Sequence, residues 1–130
     1  AWLRIRAPVI VDETGLELAS MGGFPGPLIK WMLDSVGAEG VARAAAAFGD
    51  DRATARCGLM WFDGEREVAG EGAVAGRLVL PARGDSGFGW DPVFQPDGAE
   101  LTYAEMDAPT KNRISHRALA WCDLLSRLRA

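Results

Sequence analysis

Thr54-Ala55-Arg56-Cys57-Gly58-Leu59-Met60-Trp61-Phe62 reads as a strand that runs into Asp63-Gly64, and from Arg66 onward the chain returns as its partner. Asp-Gly between two such runs is a strong hairpin signal, because the turn that matches strand twist needs residues tolerant of positive φ. A hairpin makes at least one strand pair antiparallel, so a sheet built around it is mixed rather than purely parallel. Helical patterns lie on both sides. Before the hairpin, Pro27 suits the first turn of a helix through Ile29, Lys30, Trp31 and Leu33 to about Gly37. A second helix is predicted from Ala38 to Phe48 on the propensity of Ala42 and Ala44 to Ala47, with Gly49-Asp50-Asp51 as its stop. After the hairpin, Ile114, Ala118, Trp121, Leu125 and Leu128 recur at steps of three and four, the apolar stripe of a final amphipathic helix.

The segments between these elements are short. Pro8-Val9-Ile10-Val11 is β-branched and apolar and stops at Asp12-Glu13-Thr14-Gly15, which predicts a buried strand delivering two carboxylates onto a turn. Gly22-Gly23-Phe24-Pro25-Gly26-Pro27 is a stiff loop, a further strand covers Arg77 to Leu80, and Gly84 to Asp91 is a glycine-punctuated loop with two aromatics. Pro96-Asp97-Gly98 supplies another turn, and Thr102-Tyr103-Ala104-Glu105 has the spacing of a capping box. No internal repeat, low-complexity tract or linker interrupts the chain. Residues 1–130 are therefore read as one α/β domain, a mixed β-sheet flanked by helices.

Composition excludes several classes. With 130 residues, 48% apolar and 25% charged, the chain is long enough for one real core. It is not a disordered tail, a collagen-like repeat or a disulfide-dense mini-protein. No apolar run approaches the roughly 20 residues that span a bilayer, so no membrane partner is expected. Ala1 to Arg6 lacks a secretory profile, so a cytoplasmic location is expected. A net charge of −4 argues against a nucleic-acid partner. Cys57 and Cys122 are too few and too far apart for a zinc cluster or redox pair, and are read as two buried free thiols.

Three segments carry chemistry-bearing side chains. The two lysines of the chain are Lys30 and Lys111, and Lys111 opens a run through Asn112-Arg113-Ile114-Ser115-His116-Arg117 at the start of the final helix. Basic groups there oppose the helix macrodipole, a penalty of roughly 0.3–1 kcal/mol per exposed charge that an anion bound at the helix start would offset. The same run also fits a solvated basic helix end. Asp12 and Glu13 are neighbours on an extended chain, so their side chains point to opposite sides and one alone can face a given pocket. A carboxylate so placed can hold Mg²⁺ or orient an attacking water, although an ordinary acidic turn has the same sequence. Phe88-Gly89-Trp90-Asp91 offers aromatic faces for a flat base, a glycine for close backbone approach, and a carboxylate to fix the loop; equally, it fits a plug at the edge of a core. Serine hydrolase chemistry from Ser115, His116 and Asp91 is disfavoured, since the first two are adjacent and no nucleophile elbow is present.

Taken together, Asp12-Glu13-Thr14-Gly15-Leu16, Gly22-Gly23-Phe24-Pro25-Gly26-Pro27 and Ile29-Lys30-Trp31 resemble the inosine/xanthosine triphosphate pyrophosphatase family. So do Phe88 to Gly98, Thr102 to Met106, Lys111-Asn112 and Ser115-His116-Arg117, in the same order and spacing. The resemblance implies a long mixed sheet with helices in two lobes around a cleft, usually in a homodimer. It also implies Mg²⁺-dependent hydrolysis of ITP, dITP and XTP to monophosphate and pyrophosphate. On that resemblance Glu13 is the catalytic, metal-associated carboxylate, Asp12 precedes it as a second catalytic acid, and Thr14 lies beside the substrate. Lys30 and Lys111 match substrate-contacting lysines. Phe88, Gly89, Trp90 and Asp91 match the base-side loop, and Ser115, His116 and Arg117 the residues that read the 6-oxo purine or complete the pocket. Family members usually carry Asp at the position of Glu13. They also begin with a strand, a phosphate-gripping loop and a helix, roughly the first third of a typical member, for which this sequence has no counterpart. A sheet edge exposed in that way is expected to be covered by a homodimer. Two other functions fit the same residues: a purine-nucleotide-binding module without catalysis, and an oligomerising structural protein of the same fold.

Overall fold

Strands β3 (Arg52–Phe62) and β4 (Glu67–Leu78) form the expected hairpin, paired from Phe62↔Glu67 to Arg52↔Arg77. The Asp63 carboxylate closes the turn by accepting from the backbone N–H of Glu65 at 2.9 Å and of Arg66 at 2.8 Å. Those bonds hold its pKa below the usual carboxylate range. The structure is a computed structural model and describes residues 1–130.

Three more strands complete the sheet. Strand β1 (Val9–Leu18) lies against β3, the two-residue β2 (Pro25–Gly26) touches β1 at Glu17 and Leu16, and β5 (Phe94–Pro96) follows the end of β4. The order is β2-β1-β3-β4-β5. The expected sheet with flanking helices is present, and within it every pair is antiparallel. The reason lies in the excursion between β1 and β3. That excursion contains β2 and helix α2 (Ile29–Ala47) and returns the chain to the end of β1 it had left, so that Leu18 pairs with Ala53.

Sequence and structure differ at β1. Asp12, Glu13 and Thr14 stand inside the strand rather than on a turn, because the ladder to β3 continues unbroken from Val9↔Phe62 to Leu18↔Ala53. Nor is its apolar start buried: Ile10 and Val11 are 41% and 48% exposed, whereas Leu16 and Leu18 are fully buried. Gly15 is where β1 and β2 cross closely, since a Cβ there would lie 2.8 Å from the Gly26 carbonyl carbon. The strand expected over Arg77 to Leu80 is the end of β4. In α2 the two expected helices meet at Gly37, whose φ of 72° and ψ of 173° break the helical path. A short helix, α1 (Trp2–Ile5), has no counterpart in the sequence reading; its Trp2 packs edge-on against Phe62 and over Gly64.

The C-terminal part also departs from a single helix. Helix α3 (Ala108–Ile114) and helix α4 (His116–Arg129) are separated at Ser115, and Asp107 and Ser115 cap them by accepting from the N–H of Thr110 and Ala118. Lys111 therefore belongs to α3, not to the start of the last helix. The buried line of α4 is His116, Ala120 and Leu124, while Trp121 and Leu125 of the expected stripe stay exposed. Glycines in β4 explain the rotation. A Cβ at Gly72 would lie 2.1 Å from the His116 carbonyl oxygen, and one at Gly70 would lie 2.5 Å from the Leu124 Cβ. Helix α4 thus sits directly on strand backbone, a fit that favours small residues on the contact line.

Alternation along the strands gives the sheet two unlike faces. One face buries Leu16, Leu18, Ala53, Ala55, Cys57 and Leu59 under α2, the 90s loop and α4. The other carries Val11, Glu13, Arg56, Met60, Ala69 and Glu71, all exposed. Over Val9–Gly15 the outer edge of β1 has no partner strand.

Candidate functional site

Asp91 is the centre from which the site grows. Its carboxylate is 3% exposed, accepts from the Phe88 N–H at 3.0 Å, and pairs with the Lys111 ammonium. Gly87, at φ 74°, makes room for it: a Cβ there would fall 2.1 Å from Asp91 Oδ2. The acid thereby folds the glycine loop onto α3. Removal of one partner from such a pair strands a buried charge, so the geometry is strongly held. Lys111 Nζ also lies 5.2 Å from the Phe88 ring centroid and 5.3 Å from that of Tyr103.

His116 enters from the start of α4. Its ring stacks on Tyr103 at 5.8 Å and lies 5.9 Å from Trp90. Burial, helped by the adjacent Arg117 charge, brings its pKa down to about 4, so the imidazole is neutral at pH 7. Burial pushes the Tyr103 hydroxyl up to about 12, so it too is neutral. Arg117 places its Nη2 3.2 Å from an Asp12 carboxylate oxygen, with its guanidinium 5.5 Å from the Phe88 ring centroid.

Between these groups lies a cavity of about 690 Å³, within the range of small-molecule sites. Trp90, His116 and Arg117 line it, and their Nε1, Nδ1 and Nε atoms, respectively, are buried and have no hydrogen-bond partner. A buried polar group left unmet costs about 1–3 kcal/mol, so three around one hollow is the pattern of a site shaped for a polar ligand. Two of the three, the indole and guanidinium N–H groups, can only donate.

Most of the residues singled out from the sequence converge here. Thr14, Phe88, Trp90, Asp91, Lys111, Ser115, His116 and Arg117 line the cavity, and Asp12 reaches it through Arg117. Ser115 serves as the cap of α4, its hydroxyl oxygen accepting from the Ala118 N–H at 3.1 Å. Gly89 does not line the cavity; at φ 62° it turns the loop beside Leu33. Lys30 and Glu13 lie elsewhere. The Lys30 ammonium is exposed on α2, paired with Asp34 at 2.6 Å one helical turn away. Glu13 is on the open face, with Gly58 opposite it on β3 and Glu71 beyond on β4. Neither residue lines the cavity, for Glu13 because strand alternation gives Asp12 the cavity side.

Sequence reading missed several walls of the cavity. Met106, Asp107, Ala108 and Trp121 line it, as does Cys122, which is exposed rather than buried. The Asp107-Ala108-Pro109 start of α3 was a readable helix signal. The three glycines at 70, 72 and 76 were a readable sign of close backbone approach in a strand.

The architecture is that of the solved Ham1 proteins. A HAM1 protein from Coxiella burnetii superimposes with a TM-score of 0.84 at 28% identity, covering 95% of this chain and 68% of that one. The Staphylococcus aureus Ham1 protein gives 0.77 at 25% identity, over 98% of this chain and 69% of that one. A nucleoside-triphosphatase / dITP/XTP pyrophosphatase from Mycobacterium abscessus gives 0.74 at 26%, over 95% and 70%. The sequence profile of the Ham1 family matches residues 1–127, and the chain belongs to that family. Among curated relatives, an inosine triphosphate pyrophosphatase of Puccinia graminis f. sp. tritici is 44% identical over 117 residues, which is 89% of this chain and 60% of that protein. One of Batrachochytrium dendrobatidis is 44% identical over 114 residues, 87% of this chain and 60% of the relative. The chain thus spans about 60% of the length of these relatives.

Proposed function

We propose that the protein is a nucleoside triphosphate pyrophosphatase that hydrolyses deaminated purine nucleotides, ITP, dITP and XTP, to monophosphate and pyrophosphate. One observation carries the reading: Trp90 and Arg117, which line a cavity of base-binding size beside the neutral His116, each hold a buried N–H donor without a hydrogen-bond partner. Hypoxanthine and xanthine present a carbonyl acceptor at position 6, whereas adenine presents an amino donor there. Opposite adenine those donors stay unmet, at about 1–3 kcal/mol for each group. Phe88 and Trp90 frame the base, Asp91 and Lys111 fix the loop that holds it, and Thr14 borders the cavity from β1. The names of the two fungal relatives support the substrate class.

Glu13, on the open face, takes the phosphate side in this reading, and Lys30, on α2 above the covered face, is a phosphate contact from the other side of the sheet. No three His, Cys, Asp or Glu side chains come together as a metal cage. Glu13 nevertheless fits Mg²⁺, which binds through one or two carboxylates completed by water and phosphate oxygens. Its exposed carboxylate has no cationic partner. When bound, Mg²⁺ would neutralise phosphate charge and activate water. The free edge of β1 is the contact expected for a homodimer, in a register that keeps Asp12 and Glu13 from facing their own copies. The free thiols of Cys57 and Cys122 suit a cytoplasmic setting.

Pyrophosphate release from ITP, XTP and dGTP with Mg²⁺, compared between wild type and Glu13→Gln, tests the assignment. The expected result is release from ITP and XTP that falls at least about 100-fold in the variant. Equal release by both proteins would remove Glu13 from the chemistry. Binding of ITP without any release would leave a binding module.

A further inference from the structure

Asp12 and Glu13 are adjacent on β1 and face opposite sides of the sheet, and Asp12 alone meets a cavity residue: its carboxylate lies 3.2 Å from Arg117 Nη2. We propose that Asp12 is a positioning residue for base selection, fixing the Arg117 guanidinium at the cavity and tying that guanidinium to the strand that carries Glu13. The proposal rests on the reading of the cavity as a base site.

Three observations support it. Arg117 stands in the first turn of α4, where a cation opposes the helix macrodipole and gains from an external carboxylate. Asp12 is the one carboxylate within ion-pair distance of it, and its other neighbours are uncharged: the face of Phe88, itself a loop side chain, and the Cys57 thiol. Arg117 lines the cavity and its Nε is buried without a hydrogen-bond partner, so the group that selects a ligand acceptor depends on a guanidinium held from its other end. Loss of the anchor frees a long side chain that must then be ordered by the ligand. This lowers affinity for the oxopurine more than it changes the reacting phosphates.

The experiment measures steady-state kinetics with ITP and ATP, together with calorimetric binding of IMP. The proteins are wild type, Asp12→Asn, Asp12→Glu, Arg117→Gln and the Asp12→Asn/Arg117→Gln double variant, each checked for unchanged circular dichroism. The two side chains are partly exposed, so the expected effect is moderate. Asp12→Asn raises KM for ITP and Kd for IMP about three- to tenfold, leaves kcat within about twofold, and narrows the preference for ITP over ATP. Asp12→Glu restores part of the loss, and Asp12→Asn adds nothing when Arg117 is already Gln. A fall in kcat at unchanged KM, an additive double variant, or unchanged KM and IMP affinity would each overturn the proposal. A wild type that turns over no ITP but binds IMP leaves the positioning role to be decided by the IMP affinities. A wild type that does neither defeats the base-site reading and this proposal with it.

Discussion

The covered face of the sheet and the open face differ in how they use polar groups. Beneath α4 and the 84–91 loop, the Asp91–Lys111 pair is buried, and residues lining a hollow keep buried N–H groups unmet. On the open face, Glu13 and Glu71 flank Gly58 with nothing above them. The contrast teaches that two adjacent acids can serve different tasks. On the proposed function, Asp12 serves recognition by holding Arg117 at the cavity, and Glu13 stands free where hydrated ions and phosphates have access.

Paired substitutions, one buried and one exposed, can break that contrast. Lys111→Ala strands the Asp91 carboxylate in the interior and is expected to cost about 3–5 kcal/mol in denaturant unfolding. Lys30→Ala, which removes the exposed pair with Asp34, is expected to cost less than about 0.5 kcal/mol. Similar costs for both would mean that the Asp91–Lys111 pair is not a buried one.

Acid should act mainly on the covered face. Burial holds His116 at about 4 against an unfolded value of 6.5, so between those values the unfolded chain takes up a proton that the folded chain refuses. Stability is therefore complete above about 6.5 and falls as pH drops toward 4, by about 3 kcal/mol from this group alone. Urea midpoints measured from pH 7.5 to 4 check this. His116→Gln should flatten that part of the profile, and an unchanged slope would place the acid sensitivity elsewhere.

The smallest expected contrast is between two glycines. Gly72→Ala pushes a methyl group into the α4 backbone and should cost about 1–3 kcal/mol. Gly58→Ala meets nothing within 4 Å on the open face. It should change stability by less than about 0.5 kcal/mol. Thermal unfolding of the two variants reads the difference directly.

The same division shows what was legible in the sequence. The Asp63-Gly64 hairpin, the break at Gly37 and the capping box at Thr102 are local signals, and each appears where the residues indicate. The base-side cluster was legible because Phe88 to Asp91 and Lys111 to Arg117 are short runs whose members stay together. What local patterns do not carry is which side of an element faces the core. Val9 to Val11 look like a buried strand yet lie on an open edge, and α4 turns a different stripe inward because Gly70 and Gly72 admit its backbone. Glu13 is a site residue on the family resemblance, since its type and neighbours fit an ordinary acidic turn as well. Its face was fixed by the register with Gly58, a contact 45 residues distant in sequence.

Calorimetric titration of wild type and Glu13→Gln with IMP and AMP, without added metal, reads the division of labour most directly. The expected result is IMP binding of equal affinity in the two proteins and AMP binding weaker by at least about fivefold, as one unmet donor requires. Equal affinity for IMP and AMP, or loss of IMP binding on substitution of Glu13, would contradict it.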